Sequence, residues 1–279
     1  MAAPAPLRDA QLRRLTRGVT AAAPSEPFGA YVFGGDEVGS ALGRHVERMV
    51  FLEAFGNTPE LLAQEYDPYE ESCFFIVVVD HLRSLPVGAM RVLAVSPAGF
   101  KSLNDMEQVW GEPAEVAAAR TGLSMTPETT WDVATLAVAP DYRAKATRGL
   151  VSMGLYQTVT VAARSCGVDW LVAVLDMPVF RMLRWRLRMV FAGFEGVGPR
   201  PYLGSLASLP AWCDLVSTDR RLAAAYPELH GILYRGVGLE HALRRVDGSA
   251  LEQLAARQRR AVARGLTPRR AAGGASLAS

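Results

Sequence analysis

Residues 131–175 constrain the fold of this chain more than any other stretch. Trp131 to Val138 is rich in β-branched and apolar residues and stops at Pro140, the pattern of a buried strand. Asp141 follows as a helix-start signal, and Arg143, Lys145 and Arg148 crowd the turn after it. Thr147 to Ser165 is almost wholly apolar or small and closes at Gly167, which predicts a long helix with a glycine stop. Trp170 to Leu175 reads as a second buried strand. Strand, crossover helix and parallel strand make a right-handed βαβ unit. Its basic turn sets cations and free helix N–H groups where an anion can sit.

The remaining text adds strands of a different kind. CFFIVVV (73–79) and VGAMRVLAV (87–95) are apolar runs separated by a hairpin-length link, so they are expected to pair antiparallel. A short strand is expected at 31–33 and a last one within 206–216. Apolar residues at 38, 42, 46, 49/50 and 52/55 have helical spacing, and Thr58-Pro59-Glu60 opens another short helix. Ser96 to Thr129 is a long irregular connection with an amphipathic piece (Phe100 to Trp110) and a looser one around Val116, the kind that forms a lid or a wall of a site. The expected organisation is a flexible arm (1–27), either a frayed helix or disordered, one α+β domain (28–218), a helical C-terminal extension (219–265, including Leu239–Arg245) and a disordered tail (266–279).

Charge and cysteine usage exclude several classes. The net charge is +2, but six arginines and no acid lie in residues 253–279, leaving −4 over the rest. That argues against a nucleic-acid-binding body. Three widely spaced cysteines without a CxxC fit a reducing, cytoplasmic setting, and the four histidines show no metal-ligand spacing. No apolar run is long enough to span a bilayer. A monomer or homodimer is expected.

Three groups of charged residues stand out. EYDPYEES (65–72) packs four acids into seven residues; it reads either as a solvated loop or as Asp67 and Glu70 ringing a substrate entrance. Arg91 sits inside an apolar strand, where a guanidinium must be paired; Asp67, Glu70 and Asp132 are its candidate partners. Arg181, Arg184 and Arg188 recur at i, i+3 and i+7, either a solvated face or a dock for phosphate or an acidic carrier protein.

Antiparallel strands, a long connection, then strand, basic turn, helix, strand and helix together resemble the GNAT N-acyltransferases. Within them the likeness is to acyl-homoserine-lactone synthases and long-chain N-acyl amino acid synthases, over about residues 40–210. It is carried by Arg48 and Phe51 at a helix end, by Glu65-Tyr66-Asp67-Pro68-Tyr69-Glu70 against an E-x-D-x-[FY]-D segment, and by Arg91 in GAMRVL. Trp131-Asp132-Val133-Ala134-Thr135-Leu136 matches a W-E-x-S-R-F strand, with Asp for Glu and Thr135 in place of the Arg. That loss argues against lactone production and against assuming S-adenosylmethionine.

The resemblance implies a GNAT-like sheet, mostly antiparallel, with one splayed parallel strand pair and flanking helices. It implies an acyl thioester cosubstrate, coenzyme A or acyl-phosphopantetheine, and no tightly bound cofactor or metal. The pantetheine arm is expected along Ala137 and Val138, with its phosphate at Arg143, Lys145, Arg148 and Gly149. Ala146 and Arg148 replace small positions of the family's pyrophosphate loop, which favours a single phosphate and so an acyl carrier protein, docked on Arg181, Arg184 and Arg188. Asp132 is expected as general base toward the amine of an amino acid or peptide. Asp67, Glu70, Arg91 and Thr135 are expected to bind that substrate. The acyl tunnel is expected among Phe100, Met106, Trp110, Met153 and Phe180. Two alternatives stand beside this: an acetyl-CoA-dependent acetyltransferase of a small amine or peptide, and a non-catalytic thioester-binding protein.

Overall fold

The structure is a computed structural model and describes residues 7–20, 24–147 and 149–263; the side chains of residues 144 and 145 are outside that description. The helices are α1 (Asp9–Val19), α2 (Ser40–Phe55), α3 (Pro59–Tyr66), α4 (Lys101–Trp110), α5 (Ala114–Thr121), α6 (Ala144–Thr147), α7 (Leu150–Cys166), α8 (Met177–Trp185), α9 (Leu215–Ala225), α10 (Pro227–His230) and α11 (Gly248–Ala263). The strands are β1 (Phe28–Gly34), β2 (Cys73–Asp80), β3 (Leu85–Leu93), β4 (Thr130–Val138), β5 (Trp170–Asp176), β6 (Phe191–Gly193), β7 (Arg200–Tyr202), β8 (Ser205–Asp214) and β9 (Leu243–Arg244). They form one sheet in the order β6-β8-β5-β4-β3-β2-β1-β9, with β7 also on β8. Among the described strands, only β4/β5 and β1/β9 run parallel.

Period-2 alternation builds both layers. In β2, Phe74, Ile76 and Val78 enter the main core under α7, while Phe75, Val77 and Val79 enter a second core under α1 and α2. The strand is therefore apolar at nearly every position because it is covered twice. Gly43 lets α2 lie close on the sheet: a Cβ there would stand 2.3 Å from Phe75. That close approach brings the polar residues of α2 within reach of β3.

Several expectations change in three dimensions. The helical alternative for the 1–27 arm holds in part, as α1, but it is docked: Leu12 and Thr16, four residues apart, are buried against the sheet while Arg14 and Arg17 point outward. The long connection carries α4 and α5 at the two pieces expected within it, 100–110 and around Val116. Leu239–Arg245 is not a helix: Leu243–Arg244 forms β9 and covers the edge of β1, where the Phe28 N–H also bonds the Ala242 carbonyl. The C-terminal extension thus completes the sheet, and α11 packs on α7 with Leu254 and Ala255 buried. Residues 264–279, most of the expected tail, lie outside the described residues.

Candidate active site

β4 and β5 pair at only three positions, Thr130 with Trp170, Trp131 with Leu171 and Asp132 with Val172. Beyond them β4 stays with β3, β5 stays with β8, and the two part. A bulge accompanies the parting: Arg91 opposes Thr135 and Val92 opposes Val133, so Ala134 has no counterpart on β3. One extra residue reverses the faces of those that follow. Trp131 and Val133 pack into the main core; past the bulge, Leu136 and Val138 do so, and Ala137 turns to α2 beside Val46 and Val50.

A cleft opens in the gap and encloses about 950 Å³, its open mouth included. From the α7/α8 side it is lined by apolar residues such as Val159, Leu183, Met189 and Phe191. From the other side it meets Tyr66, Thr135 and Tyr202, with Phe51, Phe55 and Leu203 at the end of α2 and the β7–β8 turn. That turn is seated closely: Asn57 donates to the Leu203 carbonyl at 3.1 Å, and a Cβ on Gly204 (φ +84°) would stand 2.4 Å from the Phe55 carbonyl oxygen.

Behind the polar side lies a buried charge network. The Arg91 guanidinium donates to both oxygens of Glu47, Nε at 3.0 Å and Nη2 at 2.7 Å, and through Nη1 to Glu70 at 2.7 Å. Arg44 bonds the other Glu70 oxygen. Thr135 Oγ1 donates to Glu47 Oε1 at 2.6 Å, so a residue of the cleft wall is wired to the network. Burial opposes the Arg91 charge, but the Glu47 and Glu70 carboxylates outweigh it and raise its pKa. Burial likewise works against ionised Glu70, and Arg91 and Arg44 reverse that and hold it below the usual carboxylate range.

A second cluster adjoins it. Lys101 Nζ bonds Glu65 at 2.6 Å, Asp105, and Tyr202 Oη at 3.1 Å, and Tyr202 itself donates to Asp105. Tyr66 joins the two, with Arg91 4.5 Å and Lys101 5.3 Å from its ring centre. Its hydroxyl reaches the Ala134 carbonyl at 3.4 Å, on the bulge.

The expected site residues divide. Glu70, Arg91 and Thr135 meet in one network, but Glu47, which the sequence reading missed, is the main partner of Arg91. A glutamate spaced with the apolar face of α2 was the available signal. Asp67 is exposed on the 3₁₀ turn Asp67–Ser72 and makes no bond to Arg91. Asp132 is fully buried and does not pair with Arg91 either; its oxygens accept from the Ser102 N–H and Oγ, both at 2.7 Å. It thereby caps α4, whose own N-cap residue, Phe100, has no side chain able to do so. Burial pushes the Asp132 carboxyl up to about 6. Asp132 is not among the residues lining the cleft.

Ala137 and Val138 end β4 at the gap. Gly149 (φ +80°) precedes α7 at its N-terminus, and exposed Arg143 bonds back to the Val138 carbonyl at 3.4 Å. The Lys145 side chain and Arg148 lie outside the described residues. Arg181 and Arg184 are exposed on α8, but the helix ends at Trp185; Arg188 lies beyond it with φ +54°, over the Tyr226 ring. The three do not form one continuous helical row. The residues expected to line an acyl tunnel do not line this cleft. Phe100, Met106 and Trp110 form a satellite core with Phe194, and Met153 and Phe180 belong to the main core; none lines the cleft. Among the described residues no cluster is arranged to hold a metal ion, and no helix is long and apolar enough to cross a membrane.

A mixed sheet with a parallel pair that splays at a bulge, over a helix that begins at a glycine turn, is a GNAT-like fold, and it is similar to the folds of solved acyl-homoserine-lactone and N-acyl amino acid synthases. Two solved structures make the likeness concrete. One is a CoA-dependent acyl-homoserine lactone synthase, BjaI, with SAM and isopentyl-CoA (TM-score 0.50, 13% identity, covering 81% of this chain and 97% of that one). The other is FeeM, an N-acyl amino acid synthase from uncultured soil microbes (TM-score 0.50, 13% identity, covering 73% and 99%). No protein-family model and no curated protein sequence matches the chain.

Proposed function

We propose that the protein is an N-acyltransferase that moves an acyl group, longer than acetyl, from an acyl thioester to the amine of an amino acid or peptide. One observation carries this: the splay of β4 from β5 opens a cleft with an apolar wall on one side and a hydrogen-bonded polar wall on the other. A thioester placed in the gap has its chain against the apolar wall and its carbonyl at the bulge. The pantetheine arm bonds the free edge of β4 near Ala137 and Val138, and its phosphate meets the turn at Arg143 and Gly149 and the N–H groups opening α7. A backbone N–H of β4 polarises the carbonyl.

The amine approaches from the polar wall. Thr135 Oγ1 accepts the proton of the attacking amine as it passes its own to Glu47, to which it is already bonded. The nitrogen attacks the thioester carbon, and the C–S bond breaks to release the thiolate. Asp132, with both oxygens engaged by Ser102, acts by positioning α4 and through it Lys101, Asp105 and the Tyr202 contact. Val179 and Leu183 of α8 line the cleft while Arg181 and Arg184 are exposed on the same helix, which suits an acidic carrier protein delivering the donor there.

Turnover with acetyl-CoA, palmitoyl-CoA and palmitoyl-carrier protein, over a mixed amino acid pool, tests the reading. An N-acyl product and free thiol from a long-chain donor are expected. Turnover with acetyl-CoA alone would replace it with a short-chain acetyltransferase, and binding without turnover with a thioester-binding protein. If the carrier is the donor, reversing Arg181 and Arg184 to Glu raises its KM and leaves that of palmitoyl-CoA unmoved.

A further inference from the structure

Of the described residues that line the cleft, Asp176 is the single Asp, Glu, Lys, Arg or His. It ends β5 and caps α8, its Oδ1 accepting from the Val179 N–H at 3.2 Å. The carboxylate has no other hydrogen bond and no ion pair with a described residue. Arg91 and Lys101 do not line the cleft, and their own carboxylates hold them. A serine, threonine or asparagine would cap α8 as well. Aspartate adds to that role an unpaired negative charge in a cleft whose other lining residues are neutral.

Strand register fixes where the charge lies. Asp176 pairs with Ser208 across β5 and β8, so the two share a face of the sheet. Alternation groups that face with Val172, Val174 and Trp212, toward α4 and away from α7. Ser205 and Ser208 also line the cleft, and neither hydroxyl bonds a described residue. Four residues on from the last parallel pair, Asp132 with Val172, Asp176 comes level with Leu136 across the gap, next to Thr135. Thr135 bonds Glu47 of α2 on the same side of the sheet, since Leu93, Asp132 and Val172 run in register from the α2 core to the α4 core.

A carboxylate paired with the reacting amine itself would hold that amine protonated and so unable to attack. The charge serves a cation that stays charged through the reaction. We infer that the acceptor carries, besides the amine deprotonated at Thr135, a second ammonium or guanidinium group that Asp176 binds, with Ser205 and Ser208 offering further hydrogen-bond acceptors. The substrate class is then a basic amino acid or a diamine. This rests on the acyltransferase reading, since it takes Thr135 as the place where the amine reacts. A cleft built to bond a charged group rejects the acceptor lacking it, because the carboxylate is then left unpaired.

The test offers ornithine against norleucine, and putrescine against pentylamine, pairs in which a methyl replaces the second amino group, with palmitoyl-CoA and palmitoyl-carrier protein as donors. The native protein should favour the charged member of a pair by about tenfold or more in kcat/KM, the range of a hydrogen bond to a charged group. A preference in the ornithine pair alone assigns a basic amino acid, and one in both pairs a diamine. Asp176→Asn and Asp176→Ser, each still able to cap α8, should reduce the preference to about twofold or less. Native protein indifferent to the second charge overturns the inference. So do variants that lower charged and uncharged acceptors by the same factor, which would leave Asp176 a helix cap alone. Calorimetric titration with ornithine, putrescine and norleucine separates the two readings. Binding of the charged acceptors that Asp176→Asn abolishes, without turnover of any donor, removes the transferase and keeps the cation site. Turnover without preference removes the cation site and keeps the transferase, and neither binding nor turnover removes both.

Discussion

The two walls of the cleft are built on opposite principles. The α7/α8 wall is packed from apolar side chains and is specified by shape. The wall toward α2, α3 and α4 is specified by charge: Arg91 has every direction engaged by Glu47 and Glu70, and Lys101 by Glu65, Asp105 and Tyr202. An apolar wall tolerates repacking and changes mainly what it admits. A buried ionic wall fails when one member is removed, because its partner is left as an uncompensated charge. The difference predicts where substitutions unfold the protein and where they only retune it.

The largest effect is expected at Arg91. Arg91→Ala strands Glu47, which is 1% exposed, and should destabilise the fold by about 3–5 kcal/mol in urea unfolding. A loss under 1 kcal/mol would mean that the network is solvated and the contrast between the walls is false.

Asp132 comes next, through pH. Its folded pKa is raised from 3.8 to about 6, so the fold favours the neutral acid. Between those values stability falls as pH rises, and above pH 6 the ionised group costs at most about 3 kcal/mol. The stability difference between native protein and Asp132→Asn should therefore drift by that order from pH 4 to 7 in the direction of a less stable native protein. A flat difference would show that Ser102 compensates the burial fully.

Thr135→Val sharpens the comparison chemically. It removes the hydroxyl that connects cleft to Glu47 and should lower kcat by about a hundredfold, with KM changed little. Equal loss in stability and activity would reduce Thr135 to a structural bond. The smallest effect is expected on the apolar wall. Val159→Trp should leave folding within about 1–3 kcal/mol and lower palmitoyl relative to acetyl turnover by about tenfold or more. An unchanged ratio would place the chain elsewhere.

Much of the central unit was legible in the sequence. Trp131–Val138, the helix closing at Gly167 and Trp170–Leu175 appear almost where periodicity and Pro140 put them, because those signals are local. The demand that Arg91 be paired was also legible, since a charge inside an apolar strand states its own need. Its answer was not. Glu47 lies 44 residues away on a helix, and only the approach of α2 over Gly43 brings it to β3. Asp132 shows the converse: the family resemblance implied a base there, and the packing of α4 claimed both its oxygens.

The sequence by itself therefore determined the elements, their two periodicities and the residue types that cannot be left unpaired. The tertiary structure decided where β4 leaves β5, because one extra residue at Ala134 breaks a register that no local pattern encodes. It also decided which carboxylates face which cations, and that Leu243–Arg244 closes the sheet rather than continuing a helix. Pairing partners and sheet edges are long-range properties, set by which surfaces remain to be covered once the local elements have formed.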